Sequence, residues 1–290
     1  MTQEILITSA TGTVASFIIP ALLGAGLKVR ALVRNAGRAK HLAEQGVSLV
    51  EGDLSLPRSI SAAFVGVHRA MIIVPPGPQA PQMASSALWA AREAGVKQVV
   101  RLSALGAAHD APTVNSRLHA LSDAEITSSF SGFTILKPNF FMQNLLMAAR
   151  TMAESDAIFL PLALGRIGMI DAADVGAAAA HVLSTSGHEG KTYTLTGPSA
   201  VSMNEVARAF SIAIGRTIQY QAIPMEIGDQ HMAAAGFDEF TRTLMCDYFA
   251  AYSQDWGAVV TDDVQRLLGR SARSIQDFAS TVAPRLAAKS

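Results

Sequence analysis

Cysteine is almost absent from this chain: Cys246 stands alone among 290 residues. An internal disulfide is therefore excluded, a thiolate metal site has too few ligands, and the composition fits a reducing compartment. Excess charge of either sign is missing too, with 23 basic residues against 23 acidic ones. That balance removes the general attraction that draws a protein to nucleic acid or to an anionic membrane. Long apolar runs are also lacking. The most apolar window, Val175–Leu183, contains His181 and is too short to cross a bilayer. The N-terminus has no basic segment followed by an apolar stretch, so no secretory signal is expected. The histidines are scattered without ligand spacing, and no metal site is expected. What remains is the expectation of a soluble cytoplasmic protein with no nucleic-acid partner and no membrane contact, its state as monomer or homodimer left open.

Short Val/Ile/Leu runs alternate with helix-length amphipathic segments through the first half. The candidate strands are Glu4–Thr8, Lys28–Val33, Ser48–Glu51, Ala70–Val74, Gln98–Leu102 and Thr134–Leu136. Helices are expected near Val14–Gly24, Gly37–Gln45, Arg58–Val65, Gln82–Ala94 and Asn115–Ser128, with Pro20 expected to bend the first. Near-continuous apolar strands separated by helices imply an α/β fold, a parallel sheet covered on both faces and doubly wound through right-handed crossovers. The second half changes character. Ser202-Met203-Asn204-Glu205 is a capping box opening a helix to about Ile214, Phe237–Tyr252 carries aromatics at helical spacing, and Ser274–Leu286 reads as a last helix. No repeat or polar linker interrupts the chain. Two parts are expected: residues 1–150 as a nucleotide-binding domain, and 151–290 mainly as a smaller α/β lobe on the sheet's carboxyl edge, with some segments returning to the first.

The richest local signal is Ser9-Ala10-Thr11-Gly12-Thr13-Val14, between the apolar run Ile5-Leu6-Ile7 and the helix that follows. A buried strand, a tight turn and a helix N-terminus can hold a pyrophosphate on backbone N–H groups. The glycine positions of a G-x-x-G-x-x-G fingerprint read Ser9, Gly12 and Ala15. Alanine at the third still lets helix and strand pack closely. Serine at the first costs about 1 kcal/mol if the turn needs positive φ, although its hydroxyl could donate to a phosphate. A strand–turn–helix with no ligand is the competing reading.

After the second strand come Arg34, Arg38 and Lys40, with no carboxylate to take a ribose 2′-hydroxyl. A guanidinium at that point suits a 2′-phosphate, so NADPH is expected over NADH; the alternative is a solvated helix start. Asp53 and Leu54 end the third strand, where a carboxylate can accept from an adenine amino group. Val74 and Pro75 end the fourth, where a ribose edge would pass.

These stretches, together with Ala94-Gly95-Val96-Lys97, Leu102-Ser103-Ala104, Thr134–Phe141, Gly187–Tyr193 and Thr261–Gln265, resemble the NmrA-like atypical short-chain dehydrogenase/reductases. The likeness is to the branch of quinone reductases, triphenylmethane-dye reductases and azoreductases. It spans nearly the whole chain and implies a Rossmann-like fold with bound NADP(H). The departures are Ser9 and Ala15 in place of glycines, and Lys137 where the family usually has Arg.

The wider superfamily moves an alcohol proton with a Tyr-x-x-x-Lys pair, but none of Tyr193, Tyr220, Tyr248 or Tyr252 has Lys four residues on. The resemblance implies instead direct hydride transfer to a small conjugated aromatic acceptor, which needs orientation and dryness above all. His119 is the candidate acid. Asp123 lies one turn later, in the family's His-x-x-x-Glu pattern, where it would orient the imidazole and raise its pKa toward neutrality. Ser103 occupies the place of the superfamily's catalytic serine. Both carry a purely structural alternative. Pro138, Asn139, Phe140 and Phe141 follow the sixth strand, with the amide expected as partner of the nicotinamide carboxamide and the rings as a stacking wall. Phe237, Phe240, Tyr248, Phe249, Tyr252 and Trp256 are expected chiefly in helix core, a few facing a flat substrate. Relatives of this kind also include nucleotide-sensing regulators without turnover, which is the second functional reading.

Overall fold

The computed structural model describes residues 4–286. In chain order, β1 (Glu4–Ile7), α1 (Ala15–Gly24), β2 (Lys28–Val33), α2 (Lys40–Glu44), β3 (Ser48–Glu51), α3 (Pro57–Phe64), β4 (Val67–Ile72), α4 (Ala80–Glu93), β5 (Gln98–Leu102), α5 (Val114–Ser129) and β6 (Phe133–Pro138) alternate as expected. They are followed by α6 (Ala149–Ser155), β7 (Ala157–Leu160), β8 (Arg166–Ile167), α7 (Ala172–Ser184) and β9 (Lys191–Leu195). The chain ends with β10 (Val201–Ser202), α8 (Met203–Ile214), β11 (Gln219–Ala222), α9 (Met225–Ala234), α10 (Glu239–Tyr252), α11 (Asp263–Leu268) and α12 (Ile275–Leu286).

The main sheet runs β3-β2-β1-β4-β5-β6-β9. The neighbours from β3 through β6 are parallel, with Leu6 opposite Arg30 on one side and Ala70 on the other. Successive residues Leu6 and Ile7, Ala70 and Met71, and Val99 and Val100 are all fully buried. Consecutive residues point to opposite faces, so both faces must be covered, and each buried Leu or Ile contributes about 1.5–3 kcal/mol. The order reverses at β1, where β2 lies to one side and β4 to the other. In doubly wound sheets, ligands bind beyond the carboxyl ends of strands at such a point.

In the main sheet two strands depart most from expectation, and the short strands β7, β8, β10 and β11 of the second half are unexpected as well. β4 starts at Val67 and stops at Ile72 instead of covering Ala70–Val74. Its first residues are masked in sequence by His68 and Arg69, whose polarity reads as loop. Arg69 in fact turns its guanidinium to the Leu183 carbonyl. At the other end the peptide groups of Ile73 are taken by side chains from the β1 turn, which ends the ladder. The seventh strand, β9, was not among the expected strands. Pro20 lies inside α1, and the expected second helix is a 3₁₀ turn at Ala36–Ala39 leading into α2.

The chain divides into two compact units. The first comprises residues 1–111, 115–137 and 175–194; the second comprises 112–114, 138–174 and 195–290. The boundary therefore falls at 137/138 rather than at 150, with one later segment returning to the first unit. In the second unit β7 pairs in parallel with β11, β8 pairs antiparallel with β10, and helices pack round a core that includes Met152, Phe210, Phe249 and Phe278. The capping box that opens α8 is formed. The Glu205 N–H donates to Ser202 Oγ at 3.3 Å, and the Ser202 N–H donates to Glu205 Oε2 at 2.7 Å.

Candidate functional site

In the first unit the turn after β1 is anchored before it curves. Thr8 Oγ1 donates to the Ile73 carbonyl at 2.6 Å and accepts from the Ile73 N–H at 2.8 Å. Ser9 follows at φ +49°, the left-handed conformation that favours glycine. Its hydroxyl donates to the Ile73 carbonyl at 2.9 Å, so it ties the turn to β4 rather than standing free for a phosphate. The Gly12 N–H closes the turn on the Ser9 carbonyl at 2.9 Å, and a Cβ on Gly12 would stand 3.2 Å from that same oxygen. No side chain caps α1 and no acidic residue stands in its first turn, which leaves its N-terminal end positive.

This turn forms one wall of a cavity of about 260 Å³, whose other walls include Arg34, Asp53, Leu54 and Pro75. Thr11 lines it as well; Thr13, Val14, Arg38 and Val74 do not. Val14 is buried beneath the turn, Thr13 is exposed, and the Arg38 N–H caps onto Asn35 Oδ1 at 3.0 Å. Asp53 Oδ1 accepts from the Ser55 N–H and from Ser55 Oγ, which hold its carboxyl below the usual range, with a smaller contribution from Arg34. A left-handed turn, an uncapped helix end, an exposed guanidinium past β2 and apolar walls fit a dinucleotide with a 2′-phosphate.

A second cluster lies in the same unit around the carboxyl ends of β5 and β6. Arg101, only 1% exposed, is the one charge within the strand Gln98-Val99-Val100-Arg101-Leu102. Its Nη1 donates to the Leu102 carbonyl at 2.7 Å, and its Nε lies 3.5 Å from Asp123 Oδ1, an ion pair too long for a hydrogen bond. The other oxygen of Asp123 accepts from Ser103 Oγ at 2.8 Å and faces Lys137 Nζ at 3.3 Å. Lys137 also donates to the Ala107 carbonyl at 3.2 Å. Ser103 and Asp123 therefore meet as part of one network.

His119 joins that network differently from expectation. Its Nδ1 lies 3.2 Å from Arg101 Nη2, and Asp123 is occupied elsewhere. Burial, then the positive charges of Arg101 and Lys137, push its pKa down to about 3 instead of up toward neutrality. The spacing of His119 and Asp123 on one helix face is right. What overrides it is the pair of cations entering from β5 and β6, which claim the carboxylate. Arg101 is not among the expected site residues, although a lone charge within an apolar strand is a visible signal of a buried partner.

In the second unit Asn139 is bonded internally at both ends of its amide. Nδ2 donates to the Gly257 carbonyl at 2.9 Å, and Oδ1 accepts from the Phe140 N–H at 2.8 Å. Phe140 is 6% exposed and meets Tyr252 edge-on at 5.6 Å, so its ring is a core contact rather than an open stacking wall. Pro138, the last residue of β6, is buried. Tyr248, Tyr252 and Trp256 form a stacked ladder with centroid spacings of 5.4 and 5.7 Å. Phe237 and Phe249 instead line a cavity of about 640 Å³ together with Phe159, Met232, Arg150 and His231. Among the described residues no group of three or more His, Cys, Asp or Glu side chains is placed to hold a metal, and no helix is long and apolar enough to cross a membrane.

Comparison with known proteins gives consistent matches. The NmrA-like family matches residues 1–255. The NAD(P)H azoreductase of Xenophilus azovorans is 38% identical over 275 residues, covering 95% of this chain and 96% of its own. Quinone oxidoreductase 2 of Escherichia coli strain K12 is 31% identical over 282 residues, covering 95% and 97%. Among solved structures, the triphenylmethane reductase of Citrobacter sp. complexed with NADP(H) superposes with a TM-score of 0.87 at 26% identity, covering 97% of this chain and 99% of its own.

Proposed function

Because this chain belongs to the NmrA-like family, we propose that it is an NADPH-dependent reductase of small conjugated aromatic acceptors, of quinone, azo or triphenylmethane-dye type. It is an NAD(P)H-dependent oxidoreductase, as are the azoreductase and the quinone oxidoreductase it matches along nearly their full length. The observation that carries the choice of cofactor is the exposed Arg34 beside a left-handed Ser9 turn; the one carboxylate that reaches the end of β2 is that of Glu51 from β3, and it is taken by the Ala36 N–H at 2.7 Å.

The bound dinucleotide supplies a hydride donor; the chain supplies the rest. The turn from Ser9 through Thr11 to Gly12, whose own N–H closes the turn, and the positive end of α1 would receive the pyrophosphate. Arg34 takes the 2′-phosphate through charge-assisted hydrogen bonds. Leu54 and Pro75 give apolar walls, and Asp53 accepts from the adenine amino group. Ser103, Asp123 and His119 lie in the same unit, around the strand ends where such folds bind their reacting groups. The lack of a Tyr-x-x-x-Lys pair supports a reaction that needs no strong acid, and the aromatic cavity of the second unit supports a flat substrate.

The test is NADPH oxidation against a panel of quinones, azo compounds and cationic triphenylmethane dyes, with nucleotide binding measured by calorimetry in parallel. Turnover of at least one class with NADPH preferred over NADH is the expected result. Tight nucleotide binding with no turnover of any acceptor would replace the reductase with a nucleotide-sensing regulator.

A further inference from the structure

We propose that Arg101 is a positioning residue that fixes His119 as a neutral imidazole with its proton on Nε2, making that N–H a hydrogen-bond donor to the heteroatom that gains charge when the acceptor is reduced. This rests on the reductase reading above. The argument begins with what a guanidinium can do. Arginine carries only donors, so an imidazole nitrogen 3.2 Å from Arg101 Nη2 has to accept. Nδ1 is that nitrogen, and the single proton of the neutral ring therefore sits on Nε2.

The guanidinium has little freedom to release this arrangement. It is 1% exposed, it donates to the Leu102 carbonyl at 2.7 Å, and its Nε faces Asp123 at 3.5 Å. The groups facing the imidazole favour the same state. Arg101 comes from β5 and Lys137 from β6, both positive, while Asp123 of its own helix is turned to Ser103, Arg101 and Lys137. An imidazolium placed there would be partly withdrawn from water beside two cations. His119 is half-buried, and its Nε2 bonds to no residue among those described.

A neutral imidazole is a poor acid but a good polariser. Oriented donors act most strongly where charge develops in a site sheltered from water, and a neutral histidine in that role is a known solution. When a quinone receives a hydride on one carbonyl oxygen, the electron pair that comes with it is passed through the ring and leaves the other carbonyl oxygen as an oxyanion. Nε2–H holds that oxygen, and bulk solvent then delivers the proton that completes the hydroquinone.

The experiment uses the full chain loaded with NADP and labelled with ¹⁵N-histidine, the His119 signals being identified by their loss in His119→Gln. The expected spectrum shows Nε2 protonated and Nδ1 bare, without titration between about pH 8 and pH 5, where an ordinary histidine changes charge. Arg101→Lys, which keeps a cation for Asp123, should release the lock and give mixed tautomers. An imidazolium near neutral pH in the wild type, or a proton on Nδ1, overturns the proposal even if the lysine variant fails to fold. The second arm is kinetic. His119→Gln, whose amide still donates, should keep most of kcat, whereas His119→Leu should lose about a hundred- to a thousand-fold with NADPH affinity unchanged. Equal loss in both variants, or no loss in either, removes the donor role. If no acceptor is reduced at all, the reductase reading has failed, and the spectrum still decides the tautomer.

Discussion

Ser9 Oγ donates to the Ile73 carbonyl across 2.9 Å while Ser9 itself sits at φ +49°. The serine in the first glycine position is therefore both strained and anchored. The left-handed conformation costs about 1 kcal/mol relative to glycine, and a hydrogen bond of this kind returns about 0.5–1.5 kcal/mol. The two nearly cancel. Ser9→Gly should leave thermal stability within about 1 kcal/mol of wild type and preserve or tighten NADPH binding. Gly12→Val should do the opposite, because its first side-chain carbon would stand 3.2 Å from the Ser9 carbonyl and its branches would crowd the wall proposed to receive the pyrophosphate. Calorimetric titration of both folded variants checks the pair. Unchanged binding in Gly12→Val would place the dinucleotide elsewhere.

Arg34 is the residue proposed to discriminate between the two dinucleotides. It is exposed on the cavity rim, and the remaining rim charge is Asp53, whose Oδ1 is already bonded to Ser55. Removing a charge-assisted contact to the 2′-phosphate should cost about 1.5–3 kcal/mol for NADPH and leave NADH nearly untouched. Arg34→Ala is therefore expected to collapse the NADPH/NADH ratio of kcat/KM by roughly ten- to a hundred-fold. A retained ratio would mean that another cation, Arg38 or Lys40, reads the phosphate.

Features whose signals are local are legible in the sequence. The β1 turn, the guanidinium after β2 and the capping box Ser202/Glu205 each depend on neighbours within a few residues. The Arg101 network was not legible. It joins a strand, a helix and the next strand through side chains up to 36 positions apart, Arg101 to Lys137, and helical spacing alone paired Asp123 with the wrong neighbour. Asn139 and Phe140 mislead for a similar reason. An amide and a ring after a strand look available, and only the approach of Gly257 and Tyr252 from far along the chain shows them engaged. Strand β4 falls between these cases, since its ends are set by Arg69 and by the Thr8 and Ser9 hydroxyls rather than by its apolar run.

The buried ion pair predicts its own mutational signature. Asp123→Asn keeps the shape and some hydrogen bonding but takes from Arg101, buried with Lys137 nearby, its main counter-charge and leaves only the smaller influence of Glu125. Breaking one side of such a pair typically costs about 3–5 kcal/mol, and the retained amide favours the low end. Replacing both partners, as in Arg101→Met with Asp123→Leu, should recover a large share of that loss, because neither charge is then buried alone. Urea unfolding of the two single variants and the double variant measures the coupling directly. An additive double variant would show that the 3.5 Å approach stabilises nothing.

The depressed pKa of His119 makes a signed prediction about acid stability. In the folded protein the imidazole takes a proton only near pH 3, while in the unfolded chain it does so near 6.5. Between those values the unfolded state binds more protons than the folded state, so stability rises with pH across that window. The contribution is fully present above about 6.5 and drains away as the pH falls toward 3. Carboxylates such as Asp53 and Glu205, whose folded pKa values are lowered by Ser55 and Ser202, add losses of the same sign, but only below the ordinary carboxylate range. The segment from pH 6.5 down to about 5 therefore reports on histidine, on His119 and also on His188, whose pKa is lowered by burial too, and the His119 variant separates the two. His119→Gln cannot titrate and should flatten the upper part of the curve. Urea midpoints measured in steps from pH 7.5 to pH 5, about the range over which histidine changes charge, decide the matter. A slope unchanged in His119→Gln would show that the imidazole is not held neutral by Arg101 and Lys137, whatever its distance from them.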